Sequence, residues 1–291
     1  MTNSNGASTA DRVKAAAQYF LPQHAISRSV HWLTRIQQPG FKNWMVRGFI
    51  RRFNVDMTEA AQPDPAAYPN FNAFFTRALR ADARPVSGAS DAVACPVDGT
   101  VSQADLVESG RIFQAKGQSF TAQELLGGDA ELATHFDGGA FTTLYLSPRD
   151  YHRIHMPLDG MLTRMMHVPG RLFSVNPPTT RAVPRLFARN ERVAAIFESV
   201  AGPMAVIMVG ALNVGSIETV WAGEVTPPRG RTLRNWNYSE RKISLEKGAE
   251  LGRFNMGSTV ILLFAANRVR WAPELASDRS VRMGKRIGTI V

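Results

Sequence analysis

A chain of 291 residues, 44% apolar and 20% charged, has enough apolar sequence to build one large core or two modest ones, which excludes a disordered or collagen-like polypeptide. A single cysteine, Cys95, excludes an internal disulfide framework, suits an intracellular chain, and reads as a small buried hydrophobe. The net charge of +10 calls for an anionic partner, and its distribution says which kind.

Residues 1–10 are rich in Ser, Asn, Thr, Gly and Ala and are expected to be disordered. Helices are predicted over 11–58, broken at Pro22 and at Pro39-Gly40. Residues 1–53 hold Arg12, Lys14, Arg28, Arg35, Lys42, Arg47, Arg51 and Arg52 against one acid, Asp11, so this stretch carries +7 and the remainder +3. Phe41, Trp44, Met45, Phe49, Ile50 and Phe53 recur at helical spacing between the basic groups. Ile26, Val30, Leu33 and Gln37 begin a second stripe, widened by Trp32 and Ile36. A helix with aromatic residues on one face and arginines on the other suits the plane of an anionic lipid surface rather than nucleic acid. The same stripes would also serve a helical subdomain packed on a core. No run reaches the ~18 apolar residues of a spanning helix. The longest, Met204 to Ile217, is interrupted by Gly210, Asn213 and Gly215. No signal-peptide core followed by a cleavage site is present, so the chain is expected to lie on a membrane without crossing it.

Gln62-Pro63-Asp64-Pro65 reads as a linker, and Phe71 to Leu79 as a further helix. After Pro85, short runs rich in Val, Ile, Thr and Phe alternate with Gly, Asn and Pro turns. Thr100–Val107 with Arg111–Ala115 reads as a hairpin, and Thr121 with Glu124 as a capping box. Ala140–Leu146 is a strand, and Arg185–Ala188 with Arg192–Glu198 a second hairpin. Met204–Val209, Val214–Trp221, Lys242–Leu245 and Thr259–Phe264 complete the set. Helices and strands do not alternate, so a doubly wound sheet is excluded. The fold class is α+β: membrane-associating helices over 1–65, then a mostly antiparallel, β-sandwich-like catalytic domain over 66–291.

Three segments carry chemistry. Asp98 lies in Pro96-Val97-Asp98-Gly99, which by itself is an ordinary turn signal. His152 and His155 lie between Ser147-Pro148-Arg149-Asp150, a helix-start pattern, and Pro157, a stop. A helix of about two turns would put them at i and i+3 on one face. His24, His31, His135 and His167 offer no third-ligand spacing, so no metal is expected. Ser258, in Met256-Gly257-Ser258-Thr259, lacks a nucleophile-elbow sequence and precedes an apolar strand. Carboxylate, imidazole and hydroxyl are the parts that activate a serine, and this context points to attack on the chain's own Gly257 carbonyl.

Together these segments, with Val168–Asn176, Leu186–Arg192 and Phe254–Val260, resemble the bacterial phosphatidylserine decarboxylases in order and spacing over nearly the whole chain. One departure is Met256, where the family commonly has leucine; the swap conserves volume and apolarity. The resemblance implies a charge-relay set of Asp98, His155 and Ser258. In it Asp98 orients His155, His155 takes the Ser258 proton, and the serine oxygen attacks Gly257. β-Elimination and loss of ammonia would then leave a large chain, 1–257, and a small chain, 258–291, headed by a pyruvoyl group made from Ser258. That covalent cofactor would form a Schiff base with phosphatidylserine and serve as the electron sink for its decarboxylation to phosphatidylethanolamine and CO2, a step of phospholipid biosynthesis. His152 is the candidate proton donor for that step. The implied partners are phosphatidylserine in an anionic membrane, the two chains of one precursor, and a homodimer of the processed unit, with no nucleic acid. The implied location is the cytoplasmic face of the cell membrane, peripherally bound. Arg171, Arg189 and Arg192 are candidates for the lipid phosphate because arginine suits phosphate. A serine hydrolase would use the same residue types but should show Gly-x-Ser-x-Gly. A lipid-binding or carrier β module is the other alternative, although Lys247-Gly248 lacks a carrier lysine's flanking pattern.

Overall fold

The structure, a computed structural model, describes residues 7–115, 117–212, 216–226, 232–256 and 259–291. Helix α1 (Thr9–Phe20) starts inside the stretch expected to be disordered, because Ser8 and Asp11 form a reciprocal capping box. Pro22 separates it from α2 (Gln23–Leu33), and α3 (Pro39–Phe53) takes its proline at the first helical position and ends at Asn54, φ +52°. Helix α4 (Phe71–Phe75) is shorter than the expected 71–79. Beyond it, Leu79 bridges Ala60 and the Arg80 amide donates to the Glu59 carbonyl, so the chain is pulled into an extended form.

The α3 stripe is divided. Phe49 meets Phe71, Phe74 and Phe75 nearly edge-on, at ring separations of 5.2, 6.1 and 5.8 Å, and Met45, Ile50 and Phe53 join the same small core. Trp44 is 69% exposed, and so, on the preceding helices, are Phe20 at 88% and Trp32 at 67%. Among the described residues no helix is long and apolar enough to cross a membrane.

The rest is strand-rich. Strands β1 (Ala92–Ala94), β2 (Gly99–Leu106), β3 (Arg111–Ala115) and β4 (Gln118–Thr121) lead into α5 (Ala122–Leu125) and α6 (Ala130–Thr134). The expected Thr121–Glu124 capping box opens α5. Strands β5 (Gly139–Tyr145), β6 (Arg153–His155) and β7 (Gly160–Val168) precede α7 (Pro177–Ala182) and α8 (Leu186–Arg189). Then follow β8 (Arg192–Ser199), β9 (Gly202–Val209), β10 (Ser216–Thr219), β11 (Gly223–Glu224), β12 (Arg234–Asn237), β13 (Ser244–Leu245), β14 (Glu250–Asn255), β15 (Thr259–Ala266), β16 (Val269–Trp271), β17 (Ser280–Val281) and β18 (Arg286–Ile290).

Every ladder between these strands is antiparallel. The largest sheet runs β12-β7-β8-β9-β15-β5-β2-β17, with β13 also on β7. A second runs β11-β10-β14-β6, a third β1-β18-β16, and β3 pairs β4. The fold is therefore α+β, helices first and antiparallel sheets after. Val260, Ile261, Leu262, Leu263 and Phe264 are all fully buried, so β15 is covered on both faces, which is why it reads as an unbroken apolar run.

Two expected hairpins are replaced. Strand β2 pairs β5 and β17, while β3 turns back onto β4. Residues 186–189 are helical because Arg185 adopts φ +54° and the Leu186 amide donates to Gln114 Oε1; the hairpin in that region is β8–β9.

Gly99 is a close-approach residue rather than the second half of a turn. A Cβ there would stand 2.4 Å from the Tyr145 carbonyl oxygen across the β2–β5 ladder. Gly99→Ala should lose about 1–3 kcal/mol in chemical denaturation, because backbone cannot yield as a side chain can. An unchanged midpoint would show that β2 moves freely and that the glycine is not required.

Candidate functional site

Topology gathers the three chemical segments. Tyr145 on β5 pairs with Thr100 of β2 on one side and Thr259 of β15 on the other, so these residues form one row across the sheet. Strands β2 and β15 run in the same direction, which puts Asp98 and the start of β15 at Thr259 at the same sheet end. Gly257 and Ser258 themselves lie outside the described residues. The second sheet supplies the histidines: β14, which runs up to Met256, pairs with β6, placing His155 opposite Glu250. The His155 amide donates to the Pro96 carbonyl (2.9 Å) and the Ala94 amide to the Pro157 carbonyl (3.0 Å), so the segment carrying Asp98 runs beside β6.

The histidines do not share a helix face. Asp150 Oδ2 accepts the Ser147 amide at 2.6 Å, folding Pro148–Asp150 into a turn, and the β14 ladder then claims 153–155 as strand. Three positions apart along extended chain, His152 and His155 point to opposite sides.

His155 is buried, and its Nδ1–H donates to the Gly248 carbonyl at 2.7 Å. That bond fixes the tautomer and leaves Nε2 as an acceptor, to which the Tyr151 hydroxyl donates at 3.0 Å. Burial lowers its pKa, partly offset by the Gly248 bond and by Glu250 and Asp98. Asp98 is gripped by Arg84, whose Nε lies 2.9 and 3.0 Å and Nη2 2.6 Å from its oxygens, and by the Met283 amide at 2.8 Å. Asp98 and His155 are thus not hydrogen-bonded to each other. The orienting bonds to the imidazole come from Gly248 and Tyr151, and Asp98 acts on it through space. Arg84 also holds Glu59 at 2.6 Å; burial opposes its charge, but its bonds to Asp98 and Glu59 outweigh that and keep its pKa above the ordinary arginine value.

His152 has no exposed surface and stacks on Phe75 at 4.1 Å and 20°. Neither ring nitrogen has a hydrogen-bond partner among the described residues. Burial, with a contribution from the Arg77 charge, pushes its pKa down to about 3, so the ring is neutral at physiological pH.

The strand entering the serine segment is pinned as well. Asn255 Nδ2 donates to Ser216 Oγ at 2.6 Å, Asn72 Nδ2 donates to Asn255 Oδ1 at 2.9 Å, and Glu224 accepts from Ser216 and from Arg35 of the α2–α3 loop. Met256 has φ +95°, a conformation that L residues rarely adopt.

Of the three arginines considered for phosphate, Arg192 is fully spent on the carbonyls of Leu125, Ala188, Asn190 and Glu124. Arg171 and Arg189 bond the backbone oxygen and the hydroxyl of Tyr19 and so hold the end of α1. Sequence reasoning missed Arg84, Gly248 and Asn255, which have no local signature. Tyr151 was in plain view, next to the histidines, and a phenol beside His-x-x-His was the available signal.

A family model described as phosphatidylserine decarboxylase matches residues 71–289, and another described as PSD matches 13–54. The chain is 57% identical over 278 residues to the phosphatidylserine decarboxylase proenzyme of Alkalilimnicola ehrlichii, covering 95% of this chain and 96% of that one. It is 54% identical over 275 residues to the proenzyme of Methylococcus capsulatus (94% and 96%) and 56% identical over 279 to that of Bordetella pertussis (94% and 93%).

Burying His152 neutral has a measurable consequence. Between about pH 6.5 and 3 the unfolded chain binds a proton at this position that the folded chain excludes, so stability falls as pH drops through that window. At pH 5 the loss is about 2 kcal/mol relative to pH 7. Thermal unfolding of His152→Gln should show a smaller drop in Tm between pH 7 and pH 5 than the parent; equal drops would mean that His152 does not titrate as a buried neutral ring.

Proposed function

The chain belongs to the phosphatidylserine decarboxylase family and is a decarboxylase, and on that premise we propose that it is a precursor that cuts itself between Gly257 and Ser258 and then decarboxylates phosphatidylserine to phosphatidylethanolamine with a pyruvoyl group made from Ser258. The observation that carries the reading is the state of His155. Its Nδ1–H is committed to Gly248, its Nε2 is a lone-pair acceptor, and it lies on the strand paired with β14, which delivers the chain to the scissile position.

In this reading Tyr151 yields Nε2, and His155 takes the proton of Ser258 Oγ. The oxygen bonds to the Gly257 carbonyl carbon, the 257–258 C–N bond breaks, and the freed amine is protonated. Loss of the Ser258 α-proton and cleavage of its Cβ–O bond release residues 1–257 with a Gly257 carboxylate and leave dehydroalanine at 258. Addition of water and departure of ammonia complete the pyruvoyl group. Asp98, anchored by Arg84 and Met283, supplies a fixed negative charge that favours the imidazolium.

The surroundings fit such a group. Thr259 is locked between β5 and β9, and among the described residues neither its buried hydroxyl nor the two ring nitrogens of His152 has a hydrogen-bond partner. The pyruvoyl carbonyl supplies the electron sink for decarboxylation. His152 is the residue we assign to returning a proton to the substrate's α-carbon, from a neutral N–H. Residues 1–65 would serve membrane association and 66–291 catalysis. Exposed Phe20, Trp32 and Trp44 with exposed Arg28, Arg47, Arg51 and Arg52 support peripheral attachment to an anionic leaflet, on the cytoplasmic face.

Denaturing intact mass tests self-processing directly. Wild type should give 1–257 and 258–291, the latter lighter by one ammonia than a serine-headed fragment, while Ser258→Ala and His155→Ala stay uncut. A single intact mass for wild type overturns the reading. On native gel filtration the two chains should co-elute, because the small chain supplies β15 at the centre of the largest sheet, β17 at its edge and β18 to β1. The processing rate should hold its plateau at pH 6.5, where an ordinary histidine is half protonated, and fall only at lower pH, since the His155 pKa lies below that value.

A further inference from the structure

Two arginines are deeply buried without a carboxylate within ion-pair distance among the described residues, and they differ in one respect. Arg192 directs its nitrogens at four backbone carbonyls. Arg77, 4% exposed, has no partner for Nε or Nη1 among the described residues, and its Nη2 reaches only the Arg149 carbonyl there, at 3.4 Å. The acids in its neighbourhood are engaged elsewhere: Asp98 by Arg84, and Glu59 by Arg84 and Arg282. Burial accordingly lowers its pKa from the usual arginine value. A buried guanidinium with unspent donors is costly unless an anion completes it.

Its position is informative. Arg77 leaves α4 two residues after Phe75, the ring stacked on His152, and its Nη2 points to the carbonyl of the turn that leads into His152. The Phe74 ring lies under the guanidinium at 5.5 Å and helps hold it. The cation therefore sits at the wall of the candidate site, on the side where the aromatic core of α3 and α4 meets Met256.

We propose that Arg77 binds the phosphodiester of the lipid headgroup, an inference that rests on the phosphatidylserine reading above. The substrate carries two oxyanions, and the chemistry separates them. A cation fixed on the carboxylate would stabilise the charge that decarboxylation must disperse, and so would raise the barrier. The phosphodiester keeps its charge from substrate to product, and a guanidinium on it anchors the headgroup throughout the reaction.

The test compares wild type, Arg77→Gln and Arg77→Lys after intact mass has shown each to be processed. Titration with glycerophosphocholine, a phosphodiester without carboxylate or primary amine, is the direct readout. We expect Arg77→Gln to bind it about tenfold or more weakly and to raise KM for phosphatidylserine in neutral-detergent micelles similarly, with a much smaller change in kcat and with Arg77→Lys between. Inhibition by L-serine, which has the carboxylate but no phosphate, should be unchanged. Equal glycerophosphocholine affinity in wild type and Arg77→Gln overturns the proposal, as does loss of serine inhibition with that affinity intact. If Arg77→Gln is not processed, the same titration on the uncut Ser258→Ala precursor, with and without Arg77→Gln, gives the answer. A wild type that binds glycerophosphocholine through Arg77 but releases no CO2 from phosphatidylserine would sink the decarboxylation reading and leave the phosphodiester site standing.

Discussion

The row Thr100–Tyr145–Thr259–Val209 is the constraint on which the arrangement depends. Strand β15 is hydrogen-bonded on both sides and apolar on both faces, so the position of Thr259 is fixed by the centre of the core. Four residues earlier, Asn255 is fixed in a different sheet, through Ser216 and Glu224 of that sheet and Asn72 of α4. Strand β14 thus belongs to one sheet and β15 to the other, with Met256-Gly257-Ser258 between them in sequence. The elements that hold Asp98 and His155 are tied to the same two sheets, β2 to one and β6 to the other. Asp98 and His155 are thus positioned by the core, and their placement does not depend on a loop.

Charge is handled with equal economy. Asp98 could not be buried alone; Arg84 and the Met283 amide occupy its oxygens. Met283 lies in the C-terminal 34 residues, the stretch that follows the proposed cut, so the carboxylate is held in part by what would become the other chain. His155 is kept toward the neutral form by burial, which its bond to the Gly248 carbonyl only partly offsets, and His152 by burial with the Arg77 charge beside it. Each imidazole therefore favours the neutral form, one with a defined acceptor nitrogen and one whose ring nitrogens have no hydrogen-bond partner among the described residues.

How much of this the sequence disclosed depended on the range of the interaction. Helices α1–α3 and the α5 cap were legible because prolines, capping residues and the 3.6-residue period are local signals. The division of the α3 stripe was not, since Phe49 and Trp44 look alike in sequence and only the partners Phe71, Phe74 and Phe75 decide which is internal. The Ser147–Pro157 segment carried a sound helix-start pattern, yet the β14 ladder overrode it, as tertiary pairing overrides a short propensity. Asp98, His155 and Ser258 came from a resemblance, and for Asp98 and His155 the fold explains why spacing alone could not have joined them: the segments that carry them meet through backbone bonds between 94–96 and 155–157 and through separate sheets. Arg84, fourteen positions before Asp98, and Gly248, which acts only through its carbonyl, leave no trace in residue type.

Met256 shows how packing and chemistry meet at this point. Holding a non-glycine residue at φ +95° costs about 1–3 kcal/mol, and something must keep it there. Its side chain packs against the aromatic cluster of α3 and α4, while the ladder of β14 ends one residue before it. The long apolar side chain is thus an anchor, which glycine, the residue that φ alone would favour, could not supply. In the proposed self-cleavage this strain is stored one residue before the carbonyl under attack. Both contacts that hold Met256, the side-chain packing and the β14 ladder, lie before the proposed cut and would persist after it.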